Sequence, residues 1–349
     1  MGSLPLLPVE LLAQIFTLTT TLDSGTTLRS LLRVSHLFHN ICIPLKFSCV
    51  TLTTRLDVKR FHQELRLLEH SNTPAHLWRI LHVYISLTQS DTQADITERD
   101  TINQLFCILR TAAETLQSLT FIYHNHIFGT SVFGQLYRHS FPVLTELTIH
   151  GFYPFPSPMS PNELPVPDQA NLSSESVSSC ANASFMPMLE RLHLSGNRNP
   201  YGLLQLSSLD ECFPSLTHLR VSGLLMAGSF VEEVKSALEE HSSSHNDDDT
   251  KQSSISLARL PPILPSKLQS LVLQPGFMPL PMRPGVTGSS AKKDLLMMER
   301  LKEIDEVSKS RQGVCVTLKE RSQDPEKICI DLDLHSDWLG RMNGAVGCW

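Results

Sequence analysis

The chain reads as an α/β protein: a small N-terminal three-helix unit over residues 5–50, then a curved solenoid of strand-helix repeats over residues 51–320 with a parallel sheet on its concave side. Three observations predict this. An apolar stripe at helical spacing opens the chain, a six-residue leucine pattern then recurs six times, and helical candidates fill the intervals between its copies. Residues 321–349 form a C-terminal segment outside the pattern.

In the opening stretch, Pro8 suits the first turn of a helix, because its fixed φ is helical and its missing N–H would find no partner there. Glu10 complements the positive helix end. Leu11, Leu12, Ile15 and Phe16 follow as an apolar stripe, and shorter apolar runs at Leu28 to Val34 and around Phe38 and Ile41 complete about three small helices. So small a unit buries little core alone and commonly leans on an attached domain or a partner. An ordinary amphipathic hairpin is the plain alternative.

Phe47 to Thr53 reads as a short strand and Leu56 to Glu69 as an amphipathic helix. The recurring pattern is L-x-x-L-x-L with conservative replacements, beginning at Ile80, Leu116, Leu144, Leu189, Leu216 and Leu268. Proline before the copies at Leu144, Leu216 and Leu268 ends the preceding helix and enters the strand, while Gly151, Gly196, Gly223 and Gly276 stand just past strands, where the chain must turn away. A last strand, Val314-x-Val316-x-Leu318, lacks the leading leucine. Helical candidates lie at Arg99 to Thr115, Val132 to His139, Tyr201 to Cys212, Phe230 to Glu240 and Lys292 to Lys309.

Copies start at intervals of roughly 27 to 52 residues, against roughly 20 to 29 for regular repeats of this kind. Two insertions explain the excess. Tyr153 to Ser184 is dense in Pro and Ser, and Ser242 to Ser256 carries Ser runs with Asp247 to Asp249, so both read as solvated loops. A doubly wound α/β domain also alternates strand and helix, but it does not predict the same leucine spacing each time. Ile328-x-Ile330-x-Leu332 adds one more apolar alternation with no evident place.

The Leu7-Pro8-x-Glu10-Leu11 opening with Val34-Ser35-His36-Leu37-Phe38 resembles the F-box, with Ser35 where that family has Cys and Phe38 where it has Trp. The following copies resemble the leucine-rich repeats of F-box proteins, and the whole arrangement is similar to the large F-box families of basidiomycete fungi. The resemblance implies docking onto the Skp-type adaptor of a cullin-RING ubiquitin ligase through Leu7, Pro8, Glu10, Leu11, Ile15, Phe16, Leu28, Leu32, Val34 and Phe38. It implies a substrate receptor that is not itself an enzyme and needs no cofactor.

Composition agrees with an interaction protein. A net charge of -6 gives no electrostatic reason to bind nucleic acid. The eight cysteines show no C-x-x-C pair and read as reduced thiols, and no apolar stretch approaches the roughly 18 to 20 residues of a membrane span. A cytoplasmic or nuclear chain is expected; the sequons at Asn171 and Asn182 would then go unused. Motifs for acyl or phosphoryl transfer and for dinucleotide binding are absent. His124 and His126 lack nearby carboxylates, and His241 and His245 with Asp247 to Asp249 read as a solvated acidic stretch, so no metal site is expected.

Binding falls instead to the strand residues between the leucines, which period two puts on one face. Side-by-side stacking then groups Arg191, His193, His218 and Arg220 near His150 as a basic patch for an acidic or phosphorylated partner.

Overall fold

The computed structural model describes residues 7–22, 26–70, 79–87, 95–157, 184–206, 209–243, 261–277, 289–310, 313–321 and 330–342. Eleven α-helices and eight strands are present among them. In chain order they are α1 (Val9–Leu22), α2 (Thr26–Leu31), α3 (His36–Cys42), β1 (Cys49–Leu52), α4 (Arg55–His70), β2 (His82–Leu87), α5 (Asp95–Ala112), β3 (Ser118–Tyr123), α6 (Gly129–Tyr137) and β4 (Glu146–Gly151). Then follow β5 (Arg191–Ser195), α7 (Leu203–Leu206), α8 (Leu209–Cys212), β6 (His218–Leu224), α9 (Gly228–Ser243), β7 (Ser270–Pro275), α10 (Ser289–Ser310), β8 (Cys315–Leu318) and α11 (Ile330–Met342). Most of both insertions and their sequons lies outside the described residues, as do His245 and the Asp247 to Asp249 run.

The chain divides into two compact units: Met1–Val132 with Val143–Phe152 and Asp324–Trp349, and Phe133–Pro142 with Tyr153–Gln323. In the first, β1 to β4 pair in chain order, all parallel, and in the second β5 to β8 do the same. The fold is therefore α/β with parallel strands. The six leucine-pattern copies supply β2 to β7, and their leading residues Ile80, Leu116, Leu144, Leu189, Leu216 and Leu268 are all buried.

Register is fixed at the entrances of β2, β3, β4, β6 and β7, where one carbonyl accepts two successive N–H groups from the next repeat. In the first unit Ser48 O takes Leu81 N and His82 N, Leu81 O takes Gln117 N and Ser118 N, and Gln117 O takes Thr145 N and Glu146 N. In the second, Glu190 O takes Thr217 N and His218 N, and Thr217 O takes Gln269 N and Ser270 N. The threonines add a hydroxyl to the same device: Thr145 Oγ1 donates to Gln117 O and Thr217 Oγ1 to Glu190 O, each at 3.1 Å.

Helix boundaries follow local chemistry. α4 begins with a reciprocal capping box, in which Thr54 Oγ1 accepts from Asp57 N at 3.1 Å and Asp57 Oδ2 accepts from Thr54 N at 2.9 Å. Its buried Val58, Phe61 and Leu65 recur at helical spacing. The stretch expected as one helix from Tyr201 to Cys212 instead holds two short ones, α7 and α8. The buried Glu233 carboxylate of α9 caps the first of them, accepting from the backbone N–H groups of Gly202, Leu204 and Gln205. The C-terminal segment, where the sequence offered an apolar alternation, is helical from Ile330. Leu334, Trp338 and Met342 recur there every four residues, a helical period that overrides the short alternation.

Gly223, inside β6, and Gly276, just past β7, bring the two backbones into close approach. Gly223 sits at φ 82° within a register shift of β6, and a Cβ on Gly276 would lie 3.0 Å from its carbonyl oxygen. Gly276→Ala should lower the stability of the second unit by about 1–3 kcal/mol in urea unfolding, since the obstructing atoms are backbone and cannot swing aside. Gly340→Ala, inside α11 where an added methyl meets nothing within 4 Å, should instead gain about 0.5–1 kcal/mol.

Candidate functional site

Pro8 precedes α1 and its carbonyl accepts the Leu12 N–H, so the helix starts at the position the sequence gives it. α1 then carries two apolar faces. Leu12 and Phe16 point inward, 8% and 4% exposed, and join Leu28 and Cys42 in a small core edged by Leu31, Leu32, Phe38, Ile41 and Leu45. Phe16 meets Phe38 edge-on at 4.9 Å between ring centroids. Leu11, Ile15 and Leu18 point the other way, 45%, 44% and 63% exposed.

Ser35 has a role of its own: its hydroxyl accepts the Phe38 N–H at 3.2 Å and caps α3. Among the residues expected to meet an adaptor, Leu7, Pro8, Glu10, Leu11, Ile15 and Val34 are exposed; Leu32 and Phe38 are half-buried, and Phe16 and Leu28 form the core beneath. Leu18 and Leu37 extend the exposed apolar set and were not singled out in the sequence. Their signal was present, since Leu18 lies seven residues from Leu11 and Leu37 three from Val34.

The sheet face bearing the residues between the leucines is covered to an extent that the period-two pattern does not reveal. In the second unit the register places Arg191 beside His218 and His193 beside Arg220, so the four come together. His193 and Arg220 are buried, however, and Arg191 and His218 only half-exposed. His193 Nε2 lies 2.8 Å from Ser222 Oγ, and Arg220 Nη2 donates to Gln274 Oε1 at 2.6 Å. Both side chains are thus held by the neighbouring strand, and Arg191 and His218 carry what is open to solvent. His150 belongs to the first unit, where its ring stands edge-on to His124, 5.4 Å away.

In the first unit the corresponding face is occupied by α11. Leu334 and Trp338 pack on Cys49, Tyr84 and Ile122, with Leu339 and Met342 at the margin. His335 stacks on Trp338 and meets Tyr84 edge-on. Arg341 reaches Glu146, Nε to Oε2 at 3.4 Å, and donates from Nη1 to Thr148 Oγ1 at 3.4 Å. The sequence signal for this cover was the pair Tyr84 and Ile122, large side chains with apolar bodies at positions that polar residues mostly fill.

Polar groups elsewhere tie elements together. Glu98 of α5 accepts from Tyr123 Oη at 2.5 Å and from Asn125 Nδ2 at 2.9 Å, and Asn125 Oδ1 accepts the N–H groups of Ile127 and Phe128. Burial first, and then the hydrogen bond and charge of Glu98, push the Tyr123 phenol well above its usual range. The cluster therefore fixes the end of β3 against α5. Among the described residues, no group of three or more His, Cys, Asp or Glu side chains is arranged to hold a metal ion, and no helix is long and apolar enough to cross a membrane. Cys42, Cys49, Cys107, Cys212 and Cys315 are free thiols.

His82, on the same face, gives a pH test of its burial. Its Nδ1 lies 3.0 Å from Ser118 Oγ, and burial pulls its pKa from 6.5 down to about 4. As pH falls through 6.5 the unfolded chain gains a proton that the folded chain refuses until about 4, so folding stability should fall across that window. His82→Asn should flatten this part of the profile in urea titrations at about pH 7, about pH 5.5 and about pH 4.5. An unchanged slope in the variant would show that His82 is not the group responsible. No protein-family model, no curated protein and no solved structure matches the chain.

Proposed function

We propose that the chain is a substrate-recruiting F-box subunit of a Skp-cullin-F-box ubiquitin ligase. The N-terminal helices dock onto the Skp-type adaptor, and the repeats, as a curved leucine-rich-repeat solenoid with its parallel strands on the concave side, present the target protein. The chain performs no bond chemistry itself. It acts by proximity, holding a target where the ligase can modify it.

The observation that carries this reading is the double-faced α1. A helix that only had to cap the repeats would need one apolar face, which Leu12 and Phe16 supply. Leu11, Ile15 and Leu18 form a second, exposed stripe, accompanied by exposed Leu7, Val34 and Leu37. Clustered exposed apolar side chains mark a protein interaction site. Of the residues on which the family resemblance rests, the exposed ones are suited to contact and the buried ones to support them.

A second reading, a leucine-rich-repeat binding scaffold without ligase association, draws on the inward face of α1 and on the contact of α1 with α11. There the N-terminal helices serve as a cap. Capture of a purified Skp-type adaptor separates the two.

Ile15→Asp and Leu11→Asp should each weaken adaptor capture at least roughly thirtyfold, since losing a buried interface anchor costs about 2 kcal/mol or more. Neither should move the unfolding midpoint, because both side chains face solvent in the isolated chain. Phe16→Ala should behave oppositely and cost about 3–5 kcal/mol of stability. A wild-type chain that fails to capture the adaptor at all would leave the scaffold reading in place.

A further inference from the structure

We propose that the face of β1 to β3 beneath α11 is a receptor groove for amphipathic helices, that α11 is its built-in occupant, and that the groove takes in trans a partner helix with leucine, tryptophan four residues on and arginine three beyond that. The proposal does not depend on the ubiquitin-ligase reading.

The groove has an apolar floor and a charged end. Cys49, Tyr84 and Ile122, one from each strand, form the floor, and Leu334 and Trp338 of α11 fill it. Glu146 on β4, with Thr148 beside it, receives Arg341. Leu334, Trp338 and Arg341 stand at i, i+4 and i+7, the spacing of anchors along one face of a helix laid in a groove. A fully buried tryptophan flanked by an arginine ion pair is also the composition of an interface hot spot.

Three features make α11 a displaceable ligand and not a permanent part of the core. Trp338 Nε1 and His335 Nε2 are buried with no hydrogen-bond partner among the described residues. Leaving such groups unpaired costs free energy, which lowers the net gain of seating α11. Arg341 Nε approaches Glu146 only to 3.4 Å, an ion pair without hydrogen-bond geometry. Gly340 lies between Trp338 and Arg341's neighbour Met342, where glycine weakens the helix itself. Around the apolar floor the face is lined by Ser86, Ser118, Thr120 and Thr148, side chains that are as serviceable wet as covered.

An occupied groove lowers the apparent affinity for any competing helix by the fraction of time it is free. The test uses a fluorescent synthetic peptide of residues 330–342 and the full chain, read by anisotropy. The peptide should bind the Trp338→Ala chain and the Arg341→Glu chain at least about tenfold more tightly than wild type, because each change loosens the occupant in cis. A peptide carrying Trp338→Ala should bind none of them. A peptide carrying Arg341→Glu should prefer a Glu146→Arg chain over the wild-type chain, which ties binding to this groove. Equal affinity for wild-type and both loosened chains overturns the proposal. So does unfolding of both loosened chains without rescue by the peptide, since α11 would then be an obligatory part of the core.

Discussion

Everything else in the molecule depends on how one repeat is registered on the next. A parallel strand offers evenly spaced, slanted hydrogen bonds, and slipping it by one residue would turn every side chain to the opposite face. Here the slip is blocked at the strand entrance. A carbonyl such as Ser48 O, Gln117 O or Thr217 O accepts two consecutive N–H groups of the following repeat, so that repeat has one place to sit. The leading leucine two residues earlier is buried at the same level, and the hydrogen-bonded entrance and the apolar anchor agree. Local and long-range preferences therefore point to one arrangement, the condition under which a sequence specifies a single fold.

This explains why the strands were legible and other features less so. Leucines at positions one, four and six of each copy mark both the anchor and the buried face, and β2 to β7 fall on those copies. The long helices were also readable from periodicity, with α4 and α10 within a few residues of their expected limits. The stretch from Tyr201 to Cys212 was not, because a side chain distant in sequence shapes it: Glu233 gathers three N–H groups there. The C-terminal helix was hidden for a related reason. Ile330 and Leu332 suggest alternation over a short window, whereas Leu334, Trp338 and Met342 reveal the helical period only further along.

The N-terminal helices show the limit of reading a stripe. In the sequence Leu11, Leu12, Ile15 and Phe16 form a single apolar band, wide enough to suggest one buried face. Folded, the band divides: Leu12 and Phe16 build the small core, and Leu11 and Ile15 remain outside. A stripe broader than one interface needs is the sequence trace of a helix with two apolar faces. The buried half also holds Phe38, half-buried at the edge of the small core, where its ring meets Phe16 edge-on at 4.9 Å.

The same limit applies to the sheet face between the leucines. Period two states which side chains share a face, and the register bears this out for Arg191 with His218 and His193 with Arg220. It is silent on what lies over that face. The seating of α11 on Tyr84 and Ile122 comes from a part of the molecule that the strand pattern does not encode, and the burial of His193 and Arg220 goes with hydrogen bonds to Ser222 and Gln274 that the alternation alone does not announce. A better guide was chemical inconsistency within the pattern. A tyrosine and an isoleucine among polar side chains are costly to hold in water at about 25 cal/mol per Å² of apolar area, so their presence asks for a cover. The cover is a helix that returns the same chemistry, leucine and tryptophan against the floor and arginine against Glu146, so that the strand face is matched, residue for residue, by the helix face laid over it.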